Sequence, residues 1–203
     1  MAKVDAIILA GGVIGKNNFP KALIEASPNK TVLERQIEWL APIVDRIIIA
    51  CGEQEAEKIK RCLSLRGNFV FSIEFEHVGT AGALKRALKY AKRSDIIVCN
   101  VDDITDIDLF ALLNFGSNTI CVANPRLPFG HIEVENQNII SFREKPLLKD
   151  VWVSCGVYLL NKKIGRYLPD KGSLERDVFP FLKLRAYKHY GIWKTFSMQK
   201  ISE

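Results

Sequence analysis

Ile7-Ile8-Leu9-Ala10-Gly11-Gly12-Val13-Ile14-Gly15-Lys16-Asn17-Asn18-Phe19-Pro20-Lys21 is the stretch that decides the fold. It is entered through an apolar run, Val4 to Ala10, of the kind that forms a parallel strand buried on both faces. The run breaks at Gly11-Gly12. A glycine pair directly after a strand lets the backbone approach a ligand and aim its N–H groups at an anion. Gly15 and Lys16 continue the loop, and Pro20-Lys21 closes it. No Gly-Lys-Ser/Thr follows, so this is not a Walker loop. The Gly-x-Gly-x-x-Gly spacing of a dinucleotide fold is also absent. An ordinary strand-to-loop turn with a solvated lysine would use the same residues, so the stretch alone leaves the ligand open.

Outward from the loop, strand and helix patterns alternate. Thr31-Val32-Leu33-Glu34 is a capping box that starts a helix through Ile37 and Leu40. Asp45 to Cys51 reads as a strand, and Glu53 to Arg66 as a helix stopped by Gly67. Phe69 to Phe75 is a strand, Thr80 to Lys92 a helix, and Asp95 to Val101 another continuous apolar strand. This order predicts an α/β fold with a doubly wound, mainly parallel sheet. After Asn124 the texture changes. His131 to Glu135 and Ile139 to Phe142 flank a turn and predict a hairpin. Trp152 to Leu160 is a strand, Ser173 to Leu182 a capped helix interrupted by Pro180, and Lys183 to Phe196 holds one or two short strands. These later elements are expected as antiparallel additions covering the open edge of the sheet.

The totals fit this plan. A chain of 203 residues can bury a sizeable core as one domain. Its 48% hydrophobic and 26% charged residues are those of a soluble globule. No apolar run approaches membrane-spanning length and no signal-peptide layout opens the chain, which places the protein in the cytoplasm with no membrane partner. Cys51, Cys62, Cys99, Cys121 and Cys155 are odd in number and widely spaced, mostly within apolar runs, and read as buried free thiols. The formal charge of +6 suits an anionic partner without choosing one.

Three further stretches carry chemistry. Gly79-Thr80-Ala81-Gly82-Ala83 opens a helix whose free N–H groups could face a ligand. Capping by Thr80 with small residues for close packing is the structural alternative. Asn100-Val101-Asp102-Asp103-Ile104-Thr105-Asp106 puts carboxylates at the C-terminal end of a parallel strand, where ligands bind in such sheets. Such oxygens hold magnesium together with substrate phosphates. Thr105 or Asp106 is expected to cap the next helix. Phe142-Arg143-Glu144-Lys145-Pro146 is, as bare chemistry, a surface ion pair and a turn.

Taken in order, these motifs resemble the sugar-phosphate nucleotidyltransferases, the nucleoside-diphosphate-sugar pyrophosphorylases. The resemblance covers Ile7 through Trp193. It implies a Rossmann-like nucleotidyltransferase fold with a nucleotide-binding half at 1–124 and a sugar-phosphate-binding half at 125–203. It implies transfer of an NMP group from a nucleoside triphosphate to a sugar 1-phosphate, with release of pyrophosphate. By this resemblance Leu9, Ala10, Gly11 and Gly12 wrap the triphosphate, and Gly79, Thr80, Ala81 and Gly82 contact base and ribose. Lys21 is a phosphate clamp, with Lys16 the cation available in place of the family's loop arginine. Asp102 takes the Mg2+ position and Asp103 could share it. Gly130, Glu144, Lys145 and Gly156 lie on the sugar side. The loop is shorter than the family's, Val101 replaces a glycine, and Ser197 stands where a second metal-binding aspartate is usual. The Gly-Thr-Ala-Gly-Ala form leans towards GTP.

No protein nucleophile or general base is needed, because the attacking phosphate is already ionised; His77, His131 and His189 are therefore read as surface or packing residues. Holding two polyanions together is most of the task. Three rivals stand beside this reading. One keeps the fold with a non-sugar phosphate acceptor. One is a catalytically weak nucleotide or nucleotide-sugar binder, motivated by the short loop and the missing carboxylate. The third is a nucleic-acid binder using Lys183, Arg185, Lys188 and Lys194 among Tyr187, Tyr190 and Trp193, which is disfavoured because basic-aromatic strands are common on solvated faces. A homo-oligomer is compatible with the sequence, which names neither base, sugar nor oligomeric state.

Overall fold

Val4–Leu9 forms strand β1, and all six of its residues are buried, as its apolar run requires. Alternate side chains serve opposite faces: Ala6 and Ile8 enter one core, Ile7 and Leu9 the other. The computed structural model describes residues 4–15, 18–63 and 67–196, so Lys16 and Ser197 lie outside the described residues. The other strands of the main sheet are β2 (Val44–Gly52), β3 (Phe69–Glu74), β4 (Asp95–Asn100), β5 (Thr119–Ala123), β6 (Val153–Asn161) and β7 (Arg185–His189). Their spatial order is β7-β5-β6-β4-β1-β2-β3. β1 pairs parallel with both β2 and β4, and β2 pairs parallel with β3.

Helices cover both faces. α1 (Val32–Leu40) begins at the anticipated capping box: the Thr31 hydroxyl accepts the Glu34 N–H at 3.2 Å, and the Glu34 carboxylate accepts the Thr31 N–H at 3.0 Å. It packs Leu33, Ile37 and Leu40 on the face of Ala6 and Ile8, joined by Ala56 and Ile59 of α2 (Glu53–Cys62). α3 (Gly79–Ala87) takes the opposite face, with Leu84 and Ala87 against Ile7, Ile48 and Val98. α4 (Leu109–Phe115) sets Leu112 on the α1 side, and α5 (Leu174–Asp177) sets Leu174 on the α3 side. None of these helices is long and apolar enough to cross a membrane. Cys51, Cys99, Cys121 and Cys155 are buried free thiols, while Cys62 is exposed.

Several expectations need correction. The additions at the sheet edge are not all antiparallel. β6 alone runs against its neighbours, inserted between β4 and β5, and β7 pairs parallel with β5 at the edge. The chain leaves β4, skips one strand position to make β5, and β6 later fills that position. α3 ends at Ala87, and Leu88 to Ala91 turn away instead of continuing to Lys92. α4 is capped by Asp108, whose carboxylate accepts the Phe110 and Ala111 N–H groups, and not by Thr105 or Asp106. Ser173 does cap a helix, but α5 has four residues before a 3-10 turn at Phe179–Phe181, which holds Pro180. The hairpin forms as read, His131–Glu135 against Asn138–Arg143, with Asn136 and Gln137 both at positive φ.

Candidate active site

The C-terminal ends of four parallel strands converge on one cavity of about 570 Å³: Leu9 after β1, Ala50 on β2, Glu74 on β3 and Asn100 on β4 line it. β1 carries β2 on one side and β4 on the other, so the cavity opens where the winding reverses direction, the usual ligand crevice of such sheets. Gly11 and Gly12 form its rim. Gly12 adopts φ 100°, a conformation suited to glycine, and its carbonyl accepts the Lys21 N–H at 3.1 Å. Val13–Ile14 pairs with Phe19–Pro20, so the loop folds back as a short ribbon and delivers Lys21 to the cavity. Ala22, fully buried beside it, anchors the root of the lysine. The Lys21 stem passes over Gly12, and its Nζ lies 2.8 Å from Asp102 Oδ2.

The two adjacent aspartates diverge. Asp102 lines the cavity, while Asp103 does not. Asp103 Oδ1 accepts from Trp193 Nε1 at 3.2 Å and Oδ2 from Asn100 Nδ2 at 3.1 Å. Its carbonyl accepts from the amide of Gln36. Gly156 passes so close that a Cβ there would sit 2.0 Å from Asp103 Oδ2. Burial pushes the Asp103 carboxyl up to about 6, against the hydrogen bonds from Asn100, Thr195 and Trp193. Among the described residues no three His, Cys, Asp or Glu side chains gather as a metal cluster. Of the two adjacent aspartates, Asp102 is the one placed to offer its carboxylate to a cation in the cavity.

The far wall comes from a segment that sequence reasoning did not assign. Lys171, Gly172, Ser173, Glu175 and Arg176 line the cavity opposite the loop. This segment is held to the start of α3 by backbone bonds, Ala81 N–H to the Gly172 carbonyl and Gly172 N–H to the Val78 carbonyl, both 2.9 Å. Gly79 adopts φ 73°, and a Cβ there would sit 2.3 Å from the Gly172 oxygen; one on Gly82 would sit 2.4 Å from the Asp170 oxygen. Both glycines thus have a packing reason. Thr80 does not cap α3. Its hydroxyl accepts the Leu174 N–H at 2.8 Å and donates to Glu175 at 3.1 Å. Gly79 and Thr80 line the cavity, whereas Ala81 and Gly82 lie behind it, as does Ala10, whose N–H donates to the Ala50 carbonyl. Glu74 and His77 are further lining residues without a signal of their own in the sequence. The cap at Ser173 was legible; its docking against Thr80, 93 positions away, had no local marker.

The sugar-side candidates lie outside this cavity. Glu144 and Lys145 are exposed, 3.9 Å apart after the hairpin, with Lys145 at φ 45° and its carbonyl accepting from Arg126 at 2.9 Å. Gly130 sits under Phe142 beside Glu144, and Gly156 serves Asp103. The basic-aromatic strand is engaged within the chain: Arg185 over Phe115, Lys188 over Trp152, and Tyr187 and Tyr190 edge-on to those same rings. His189 pairs with Asp106 at 2.9 Å, a packing role as expected.

Comparison with known proteins accounts for this arrangement. The family model described as nucleotidyl transferase matches residues 5–179. The D-glycero-alpha-D-manno-heptose 1-phosphate guanylyltransferase of Campylobacter jejuni is 32% identical over 201 residues, covering 90% of each chain. The mannose-1-phosphate guanyltransferase of Debaryomyces hansenii is 30% identical over 205 residues, which is 90% of this chain and 56% of the relative. Among solved structures, HddC from Yersinia pseudotuberculosis complexed with GMP-PN superposes with a TM-score of 0.73 at 26% identity, covering 95% of this chain and 93% of that one. The strand-end cavity, the glycine loop and these likenesses agree: the chain belongs to the nucleotidyl transferase family, among its sugar-phosphate nucleotidyltransferases.

Proposed function

We propose that the protein is a sugar-1-phosphate guanylyltransferase, transferring GMP from GTP to a sugar 1-phosphate. The observation that carries this is the placement of Lys21 and Asp102, 2.8 Å apart, beside Gly11 and Gly12 on the rim of the switch-point cavity. A cation, an anion and a ring of backbone donors are what a triphosphate and its counter-ion need. The guanine preference is supported by the two named guanylyltransferase relatives and by the HddC complex.

In the reaction an oxygen of the sugar 1-phosphate attacks the α-phosphorus of GTP. A new O–P bond forms, the bond from the α-phosphorus to the bridging oxygen breaks, and pyrophosphate leaves with that electron pair. The chain's work is positioning and charge neutralisation. N–H groups of Gly11 and Gly12 face the phosphates, and Lys21 draws the α-phosphate into line, aided by Lys16. Lys145 and Glu144, with the backbone at Gly130 and Gly156, receive the sugar phosphate. The Asp102 carboxylate beside Lys21 suits magnesium, which takes one or two carboxylates and completes its octahedron with phosphate and water. Asp102 would hold it, and the ion would supply charge neutralisation on the phosphates.

Pyrophosphate release from each of the common nucleoside triphosphates, with D-glycero-alpha-D-manno-heptose 1-phosphate and mannose 1-phosphate as acceptors, tests the assignment. Turnover with GTP above the others is expected. Binding of GTP with no release against any sugar 1-phosphate would leave only a nucleotide-binding role.

A further inference from the structure

The hairpin of His131–Glu135 and Asn138–Arg143 stands apart from the main sheet: among the described residues neither of its strands pairs with a third. It is tied to the body at its base, where the Leu127 N–H donates to the Pro146 carbonyl at 3.0 Å and the Leu148 N–H to the Pro125 carbonyl at 2.9 Å. Residues that face each other across an antiparallel ladder share one side of it. His131 with Arg143, Glu133 with Ser141 and Glu135 with Asn138 make one side polar, and there Arg143 pairs with Glu133 at 2.8 Å. Ile132 with Phe142 and Val134 with Ile139 make the other side apolar. Ile139 and Phe142 are three positions apart, which in a regular strand would set them on opposite sides. A bulge at Ile140 returns Ile139 to the side of Phe142.

This apolar face is open to solvent. Ile132, Val134, Ile139 and Phe142 are 43–65% exposed, and the bulge residue Ile140 is 59% exposed. A two-stranded hairpin is marginally stable in water by itself. One that turns its apolar side outward lacks the layer that would cover it.

We propose that a second copy of this chain supplies that layer, the two hairpins stacking apolar face on apolar face about a twofold axis. The exposed surface of these five side chains is on the order of 600 Å², so two copies would remove about 1,200 Å² from water, the lower end of stable interfaces. Charge favours the same occupant. Residues 131–145 hold three acidic and two basic side chains besides His131, although the whole chain carries +6. Such a near-neutral patch meets its own copy without repulsion, and it lacks the cations that a nucleic acid or an anionic bilayer requires. Bulk is also graded along the face, with Phe142 and Ile132 at the base and Val134 and Ile139 next to the turn. A twofold axis sets the aromatic end of each copy on the aliphatic end of the other, so large side chains meet small ones.

Sedimentation velocity of the intact protein tests this. Wild type should pass from monomer to dimer between about 1 and about 100 μM, the range that suits an interface of modest size. Val134→Asp would bury two carboxylates against apolar side chains in such a dimer, so association should weaken at least roughly tenfold. Val134 is exposed within one copy, so the variant's melting temperature in dilute, monomeric solution should match that of wild type. Phe181→Asp alters a side chain that is 80% exposed on a different element, and it should dimerise as wild type does. A wild type that stays monomeric at about 100 μM overturns the proposal, whatever else the face then binds. So does a wild-type dimer that Val134→Asp leaves intact, or one that Phe181→Asp abolishes. Sedimentation needs no substrate, so its outcome is independent of the guanylyltransferase reading.

Discussion

Lys21 Nζ and Asp102 Oδ2 lie 2.8 Å apart although 81 positions separate them in the chain. Lys21 arrives from the loop after β1, and Asp102 from the turn after β4. The parallel pairing of those strands, Leu9 beside Asn100, sets the two roots side by side. Their side chains are 28% and 10% exposed, so the pair is held partly out of water, where charges act more strongly. A triphosphate entering the cavity competes for Lys21, and its cation for Asp102. The ion pair therefore preorganises both groups without neutralising the site permanently.

Replacing Lys21 by Ala should cripple turnover and leave the fold nearly as stable. One charge-assisted contact to a reacting phosphate is worth on the order of 2–4 kcal/mol of transition-state stabilisation, and removing it should slow pyrophosphate release by the corresponding factor. Thermal melting without ligand should move little, because the adjacent Ala22 anchor remains. Unchanged release by a purified Lys21→Ala variant would remove Pro20-Lys21 from the mechanism.

Asp102→Asn has two expected effects in opposite directions. Magnesium-dependent turnover should be lost, since the substitution removes the one cavity carboxylate placed beside Lys21. Binding of GTP in the presence of a chelator should instead tighten, because a negative charge leaves a phosphate site and Lys21 is released from its carboxylate. Calorimetry with and without magnesium separates the two. Full magnesium-dependent turnover in this variant would mean that the reacting phosphates do not sit at the end of β4.

Much of this was legible in the sequence because it is local. A continuous apolar run specifies a buried strand, as Val4–Leu9 shows, and the Thr31–Glu34 capping box fixes a helix start to the residue. The doubly wound sheet follows from such signals, as do a glycine pair and a carboxylate at strand ends, Gly11, Gly12 and Asp102, whereas it is the family resemblance that singles out Lys21; all four line the cavity. What failed depended on contacts between distant segments. Asp103 is adjacent to Asp102 in sequence, but successive residues leaving a strand point to different sides, and Trp193 and Asn100 claim its carboxylate. Gly79 lines the cavity and Gly82 lies behind it, and both also have a packing reason that no local pattern located: the 170–172 backbone occupies the space a Cβ would need. Asp108 outcompeted Thr105 and Asp106 as a cap because Ile192 N–H and His189 already engage Asp106.

That packing makes Gly79→Ala informative. At φ 73° an alanine is strained, and its Cβ would collide with the Gly172 carbonyl, which the Ala81 N–H holds in place. Left-handed strain alone costs about 1–2 kcal/mol, and displacing the 170–173 segment adds to it. The melting temperature should fall clearly, and GTP should bind more weakly because one wall of the cavity shifts. Gly11→Ala is the contrast. Gly11 has no atom within 4 Å of a built Cβ and its φ is not positive, so its melting temperature should match the wild type. Equal melting temperatures for the two variants would show that the 170–173 segment does not pack on Gly79.

Asp103 gives the fold a specific pH dependence. Burial raises its carboxyl from 3.8 to about 6, so between these values the folded chain holds a proton that the unfolded chain has released. Stability from this group is then greatest below pH 3.8, falls as pH rises through about 6, and stays low above it. The shift corresponds to on the order of 3 kcal/mol lost between acid and neutral pH. Asp103→Asn cannot titrate, so the stability of wild type relative to this variant should decline from pH 4 towards pH 7 and then level. The absolute difference also contains a penalty: the amide introduced by the substitution would turn its own donor towards either Asn100 or Trp193, both donors themselves. That penalty is independent of pH in this range, so the slope isolates the titration. Denaturant unfolding of both proteins across this range is the measurement. A wild-type-minus-variant difference that is flat, or that rises with pH, would mean that Asp103 is ionised at no cost in the folded protein and that the Trp193 and Asn100 donors outweigh its burial.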